Sequence, residues 1–305
     1  MTIAALPLLD IELANTIRLE DGRTVEWEAI GSGEEPLVWV EGGPGLPAHL
    51  ARADIAPVSD RFLCHLVNAP GNGRSSAPSD EGGYDLERLV EFFEAWRREV
   101  GLGPVTLMGH SWGGLVAPAW AALHPEGVRR LIVVDGYAGA GSVDPAAAAD
   151  EQRRALDRIR DRPWFSAGWD GWQRDLASPR MTERESVAAM RAYMPFYFAH
   201  PEDPVSAAHI DRLRRELRIN VDPGAAWSGW REAMDYRPLF AEIRCPTLVI
   251  VGEHDWLCGA VWNRALAAAV PGARLVEVPD VGHLPQYEAP TAFRAAIDAW
   301  LGEVD

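Results

Sequence analysis

The run Gly109-His110-Ser111-Trp112-Gly113-Gly114 constrains this chain more than any other. It follows a short apolar segment, Val105-Thr106-Leu107-Met108, that reads as a buried strand. The apolar segment after it, Leu115 to Leu123, reads as a helix. A chain that passes from strand to helix through so few residues must turn sharply. Glycines at 109 and 113 let neighbouring backbones come close, and the serine hydroxyl is then pushed clear at the top of a sheet. The turn predicts an α/β architecture and makes Ser111 the candidate nucleophile.

The rest of the chain supplies the sheet. Asn15 to Leu19 and Thr24 to Ile30, joined through Asp21-Gly22, read as a hairpin. Strands are expected at 37–40, 62–67, 105–108, 130–134, 247–251 and 274–278. Amphipathic helical patterns lie between them, and Leu86 to Val100 puts Leu89, Phe92, Phe93 and Trp96 on one face. This alternation predicts a mainly parallel sheet with helices on both faces. The interval from Val134 to Thr247 is too long for one crossover. Its stretch from Gly139 to Arg237, rich in Arg, Asp and Glu and broken by prolines, reads as an inserted helical cap. Residues 1–138 and 238–305 are then the core and 139–237 the cap. Ligands of open α/β sheets bind at the carboxyl ends of the strands, so the cap is expected to roof the site.

A serine nucleophile needs a base, and the base needs an orienting acid. Behind an elbow of this kind they follow in the order acid, then His. The apolar run Thr247 to Val251 ends in Gly252-Glu253-His254-Asp255, and Arg274 to Val278 leads to Gly282-His283. Asp255 and His283 therefore stand in the right order, just past strand ends. Asp135, which also ends a strand, is the rival acid. His110 lies inside the elbow, His124 ends a helix and His254 precedes the acid. The oxyanion loop is expected at Glu41-Gly42-Gly43-Pro44-Gly45, after the strand Leu37 to Val40. Its donors are the N–H groups of Gly43 and Trp112, each worth about 3 kcal/mol in the transition state. Such chemistry requires no metal and no organic cofactor.

These motifs together resemble the proline iminopeptidase-like group of α/β-hydrolases. The likeness rests on Glu41 to Gly45, Pro70-Gly71-Asn72-Gly73-Arg74-Ser75, the Gly-His-Ser-Trp-Gly-Gly elbow, Gly252 to Asp255, and Gly282-His283 with Glu288. It spans most of 24–136 and 239–302. The resemblance implies the α/β-hydrolase fold, a Ser–His–Asp triad, and amide or ester substrates that often carry a free amino group. Three positions depart from the group's pattern. Glu41 replaces the usual His, Trp256 follows the acid where one type has a substrate-binding Glu, and Trp169 to Gln173 ends in Gln where another has Glu.

Substrate-binding candidates follow from placement and chemistry. Glu41 either binds an ammonium group or anchors its own loop. Like-charge repulsion with a developing oxyanion requires its carboxylate to turn aside or be paired. Glu232 is a further amine-binding candidate. Aromatic residues crowd the cap, most of them expected to form its own core, and Trp227, Trp230 and Trp256 are candidates for an apolar wall.

A formal net charge of −16 argues against nucleic acid and anionic membranes as partners. No run of about 18 apolar residues provides a spanning helix. The segment Met1 to Glu12 lacks the basic start and apolar core of a secretory signal. Three cysteines without metal-ligand spacing suit a reducing, cytoplasmic setting. The expected partner is a small-molecule or short-peptide substrate, with the oligomeric state left open.

Overall fold

A computed structural model describes residues 12–79, 81–177, 181–228 and 234–304. The strands are β1 (Asn15–Arg18), β2 (Thr24–Ile30), β3 (Glu35–Val40), β4 (Phe62–Val67), β5 (Val105–His110), β6 (Val128–Val134), β7 (Thr247–Gly252) and β8 (Arg274–Val278). They form one sheet in the order β1-β2-β4-β3-β5-β6-β7-β8. The β1–β2 and β2–β4 pairs are antiparallel and the remaining pairs parallel. The expected hairpin is present, and it turns at Gly22, whose φ is 87°. Every expected strand forms, with ends that differ by at most two residues.

Helices α1 (Leu86–Glu99) and α2 (Gly113–Leu123) follow β4 and β5. The segment between β6 and β7 carries α3 (Pro145–Asp157), α4 (Phe165–Ala177), α5 (Glu183–Tyr193), α6 (Pro204–Glu216), α7 (Val221–Ser228) and α8 (Arg237–Phe240). Helix α9 (Ala260–Ala269) joins β7 to β8, and α10 (Pro285–Glu288) and α11 (Pro290–Val304) close the chain.

The period of two along the central strands divides the core. Val38, Val40, Leu107, Leu131, Val133 and Val249 face one side, where α1, α2, α8 and α9 contribute Phe92, Trp120, Phe240 and Leu266. Leu37, Trp39, Met108, Ile132, Val134, Leu248 and Ile250 face the other, against Ile55, Phe293, Ile297 and Trp300. A parallel sheet buried on both faces reads as continuous apolar runs, which is how the strands stand in the sequence. Within the long insertion, Trp172, Tyr193 and Phe196 build a third cluster with Trp164, Phe165, Trp169 and Tyr197 packed against it, so most of the insertion's described aromatics form a local core as expected. The helix α5 starts with a reciprocal cap between Thr182 and Glu185.

Trp120 of α2 ties that helix to two residues of α1. The Trp120 ring is wholly buried and stacked on Phe93 at 5.8 Å, and its indole N–H donates to Glu94 Oε2 at 3.0 Å. The Trp120→Ala substitution should cost about 3–5 kcal/mol, because it opens a cavity and removes a donor from a buried carboxylate. Urea denaturation checks this, and a loss below about 1 kcal/mol would contradict it.

Candidate active site

The turn between β5 and α2 is as tight as its glycines require. Ser111 sits at φ 54°, in the left-handed region that a non-glycine residue adopts only at a cost of about 1–2 kcal/mol. Two close approaches hold it there. A Cβ at position 109 would stand 2.1 Å from the Gly113 carbonyl oxygen, and one at 113 would stand 2.0 Å from that of Val40. The Ser111 N–H donates to the Val134 carbonyl at 2.9 Å, tying the turn to β6.

His283 follows β8 and Asp255 follows β7. The ring nitrogen Nδ1 of His283 donates to Asp255 Oδ2 at 2.8 Å. Both side chains are out of water, 2% and 1% exposed as residues, so the bond is not screened. Asp255 Oδ1 accepts from the N–H groups of Leu257 (2.8 Å) and Cys258 (3.1 Å). Burial pushes this carboxyl up, but the His283 ring and those N–H donors outweigh burial and hold it below its ordinary value. An acceptor-only carboxylate keeps the imidazole proton on Nδ1 and leaves Nε2 as the basic nitrogen.

The backbone of His283 is strapped from several sides. Its N–H donates to the Tyr197 carbonyl at 2.7 Å, and the Tyr197 ring lies over the imidazole with centroids 5.3 Å apart. Its carbonyl accepts from His110 Nε2 at 2.8 Å. Glu288 accepts from the N–H groups of Gly282 (2.9 Å) and Ala199 (2.8 Å), joining the histidine loop to the insertion. Burial lifts the Glu288 carboxyl to about 7. His110 and Tyr197 are positioning residues that sequence reasoning does not identify. His110 is in plain view within the elbow, but nothing local shows that its ring reaches a loop 173 positions away. Burial and the His283 ring lower His110 to about 3, so its ring is neutral.

The rival acid has a different place. Asp135 ends β6 at φ 48°, is fully buried, and accepts from the Gly252 N–H at 2.9 Å through Oδ1. Its Oδ2 receives no donor and faces the Asp255 carboxyl. Two carboxylates so close cannot both ionise, and burial followed by the charge of Asp255 pushes Asp135 well above its ordinary value. As the neutral acid it can donate to Asp255.

A cavity of about 550 Å³ opens over the strand ends. Ser111, His283, Gly43, Trp112 and Glu41 all line it, with Trp172, Tyr193 and Tyr197 of the insertion on the far wall. Glu41 anchors its loop: Oε2 accepts from the Trp39 indole at 3.0 Å and Oε1 from the Gly42 N–H at 3.1 Å. Trp256 requires a correction. Its neighbours Leu257 and Cys258 line the cavity, but Trp256 itself turns away into the aromatic cluster, 4.9 Å from Trp172 and 5.4 Å from Phe196. Edge-to-face packing against those two rings buries the large indole more favourably than a place at the open mouth would. Trp230 and Glu232 lie outside the described residues, as does the side chain of Trp227. Asp54, which also lines the cavity, escapes sequence reasoning because it sits in a short helical loop without a motif.

The protonation of Asp135 has a thermodynamic signature. A carboxyl raised in the folded state contributes stability below the ordinary carboxylate range and loses it as pH rises towards the raised value. The Asp135→Asn substitution keeps the acceptor for Gly252 and removes the titration. Relative to the unsubstituted protein it should gain stability steadily as the pH rises above the ordinary carboxylate range of about 4. Urea midpoints measured upward from that range check it, and parallel curves would contradict it.

A family model for the α/β-hydrolase fold matches residues 35–290. The chain is 26% identical over 285 residues to a proline iminopeptidase of Lactiplantibacillus plantarum, covering 90% of this chain and 94% of that protein. It is 27% identical over 267 residues to a pimeloyl-acyl-carrier-protein methyl ester esterase of Chromobacterium violaceum, covering 85% and 90%. The crystal structure of a hydrolase from Pseudomonas aeruginosa, 25% identical, superposes with a TM-score of 0.68 over 94% of this chain and 98% of that one. With its eight-stranded sheet, its serine-bearing elbow and a family match across most of its length, the chain belongs to the α/β-hydrolase fold family.

Proposed function

We propose that the protein is a serine hydrolase in which Ser111, His283 and Asp255 act together. We further propose that its bond is an amide, and that it releases an N-terminal amino acid or aminoacyl group from a small molecule or short peptide. The observation that carries the reading is the buried 2.8 Å bond between His283 Nδ1 and Asp255 Oδ2, with His283 and Ser111 both lining the cavity. The preference for an amide rests on the likeness to proline iminopeptidases and on Glu41, a carboxylate on the cavity wall.

The chemistry follows from the protonation states. His283 Nε2 takes the Ser111 hydroxyl proton as Oγ attacks the substrate carbonyl. The tetrahedral oxyanion is received by the N–H groups of Gly43 and Trp112. Asp255 holds the Nδ1 proton and stabilises the imidazolium, which then protonates the leaving amine. Water, activated by the same imidazole, releases the acyl group. Residues 139–237 act as the cap, with Tyr197 bridging it to the catalytic histidine. The three cysteines, none in a disulfide, suit a cytoplasmic setting. No helix among the described residues is long and apolar enough to cross a membrane.

An esterase acting on a bulky apolar acyl group is the second reading. The apolar cavity wall favours it, as does the likeness to the Chromobacterium esterase. Chromogenic amino-acid anilides and simple acyl esters separate the two. Ser111→Ala should abolish turnover of the active set, and Asp255→Asn should lower kcat about ten-thousand-fold by leaving the imidazole in the wrong tautomer. Cleavage of anilides over esters supports the aminopeptidase, and the reverse supports the esterase. Turnover that survives Ser111→Ala would sink both.

A further inference from the structure

The loop after β3 carries Gly43, whose N–H receives the oxyanion in the proposed mechanism. Residues Gly43 to Leu46 form a tight turn, closed by the Leu46 N–H donating to the Gly43 carbonyl at 3.1 Å. Pro44 at its second position and Gly45 at its third, with φ 94°, match a type II turn. Two carbonyls of this turn are held from outside. That of Leu46 accepts from Asn72 Nδ2 of the core at 2.8 Å. That of Gly45 accepts from the Asn220 N–H at 2.9 Å, and Asn220 belongs to the insertion, between α6 and α7.

The contact at Gly45 is close. A Cβ at position 45 would stand 1.9 Å from the Asn220 carbonyl oxygen, so only glycine fits between the two backbones. The Asn220 side chain is anchored at both ends of its amide. Its Oδ1 accepts from the Asp222 N–H at 3.2 Å, an Asx turn at the start of α7. Its Nδ2 donates to the hydroxyl of Tyr84, a buried residue of the core just ahead of α1. Gly71 leaves room for that bond, because a Cβ there would lie 2.5 Å from Asn220 Nδ2. The backbone at residue 220 is thus fixed to the core through its own side chain.

The same insertion straps the base, since the His283 N–H donates to the Tyr197 carbonyl. From these contacts we infer that Asn220 is a positioning residue for the oxyanion loop, holding the turn that presents the Gly43 N–H. Its N–H and carbonyl grip Gly45, and its amide keeps that grip in register. The insertion then sets both halves of the machinery, the imidazole through Tyr197 and an oxyanion donor through Asn220. This role rests on the serine-hydrolase reading, and Asn220 itself touches no reacting atom.

Diisopropyl fluorophosphate puts a phosphoryl oxygen where the oxyanion forms, so its rate of reaction with Ser111 reads the loop. Asn220→Ala should slow that labelling about ten- to hundred-fold, as expected when an aligned group moves by about 1 Å. Phenylboronic acid, which becomes tetrahedral on Ser111, should lose affinity by a similar factor. The pH midpoint of labelling should stay in place, because the His283–Asp255 bond is untouched. Asn220→Asp keeps the acceptor for Asp222 and can accept from Tyr84, so it should recover most of the rate. If Asn220→Ala does not fold, Tyr84→Phe carries the test by removing only the far anchor of the amide. Its expected slowing is about three-fold, the worth of one modest hydrogen bond. A labelling rate per folded molecule that these variants leave unchanged, or a shifted pH midpoint, overturns the inference, even if the urea midpoint falls. Failure of the serine-hydrolase reading looks different: Ser111 of the unsubstituted protein would then go unlabelled, and the role of Asn220 would fall with it.

Discussion

The carboxylate of Asp255 lies wholly out of water, and the architecture of the site can be traced to the need to hold it there. Two backbone N–H donors and the imidazole of His283 satisfy it. Their presence requires the loop after β7 to fold back at Asp255 and the loop after β8 to bring His283 within 2.8 Å. Strand order makes this possible, because β7 and β8 are neighbours and β6 and β5 follow them to the elbow. Ser111, Asp135, Asp255 and His283 thus converge at the same edge of one sheet.

That convergence is reinforced from outside the sheet. His283 gives its backbone N–H to Tyr197 and lies under the Tyr197 ring, while Glu288 ties Gly282 to Ala199. The insertion therefore does more than line the cavity. A change in its packing would be felt directly by the imidazole, since the same residue lines the cavity and holds the histidine backbone. The neutral rings of His110 and Tyr197 flank the imidazole without competing for its protons.

The sheet and the order Ser111, Asp255, His283 were legible in the sequence because each depends on local pattern. Continuous apolar runs mark buried parallel strands, and the elbow glycines mark a close backbone approach. What was hidden depends on distant contacts. His110 reaches a loop far along the chain, and Asp54 gains its meaning only when a helical turn brings it to face the cavity. Trp256 shows the opposite error. Its position after Asp255 suggested the substrate mouth, yet Trp172 and Phe196 offered it a better-packed home. Side-chain direction after a strand end is settled by tertiary packing, which spacing alone does not report.

The central claim is that Ser111 is made nucleophilic by an imidazole oriented through Asp255. Covalent capture with diisopropyl fluorophosphate, followed by peptide mass spectrometry, tests it without a known substrate. The account predicts a single phosphoryl adduct on the peptide containing Ser111, formed quickly in the unsubstituted protein and suppressed by His283→Ala. An adduct on another residue, or equal labelling of Ser111 without His283, would contradict it.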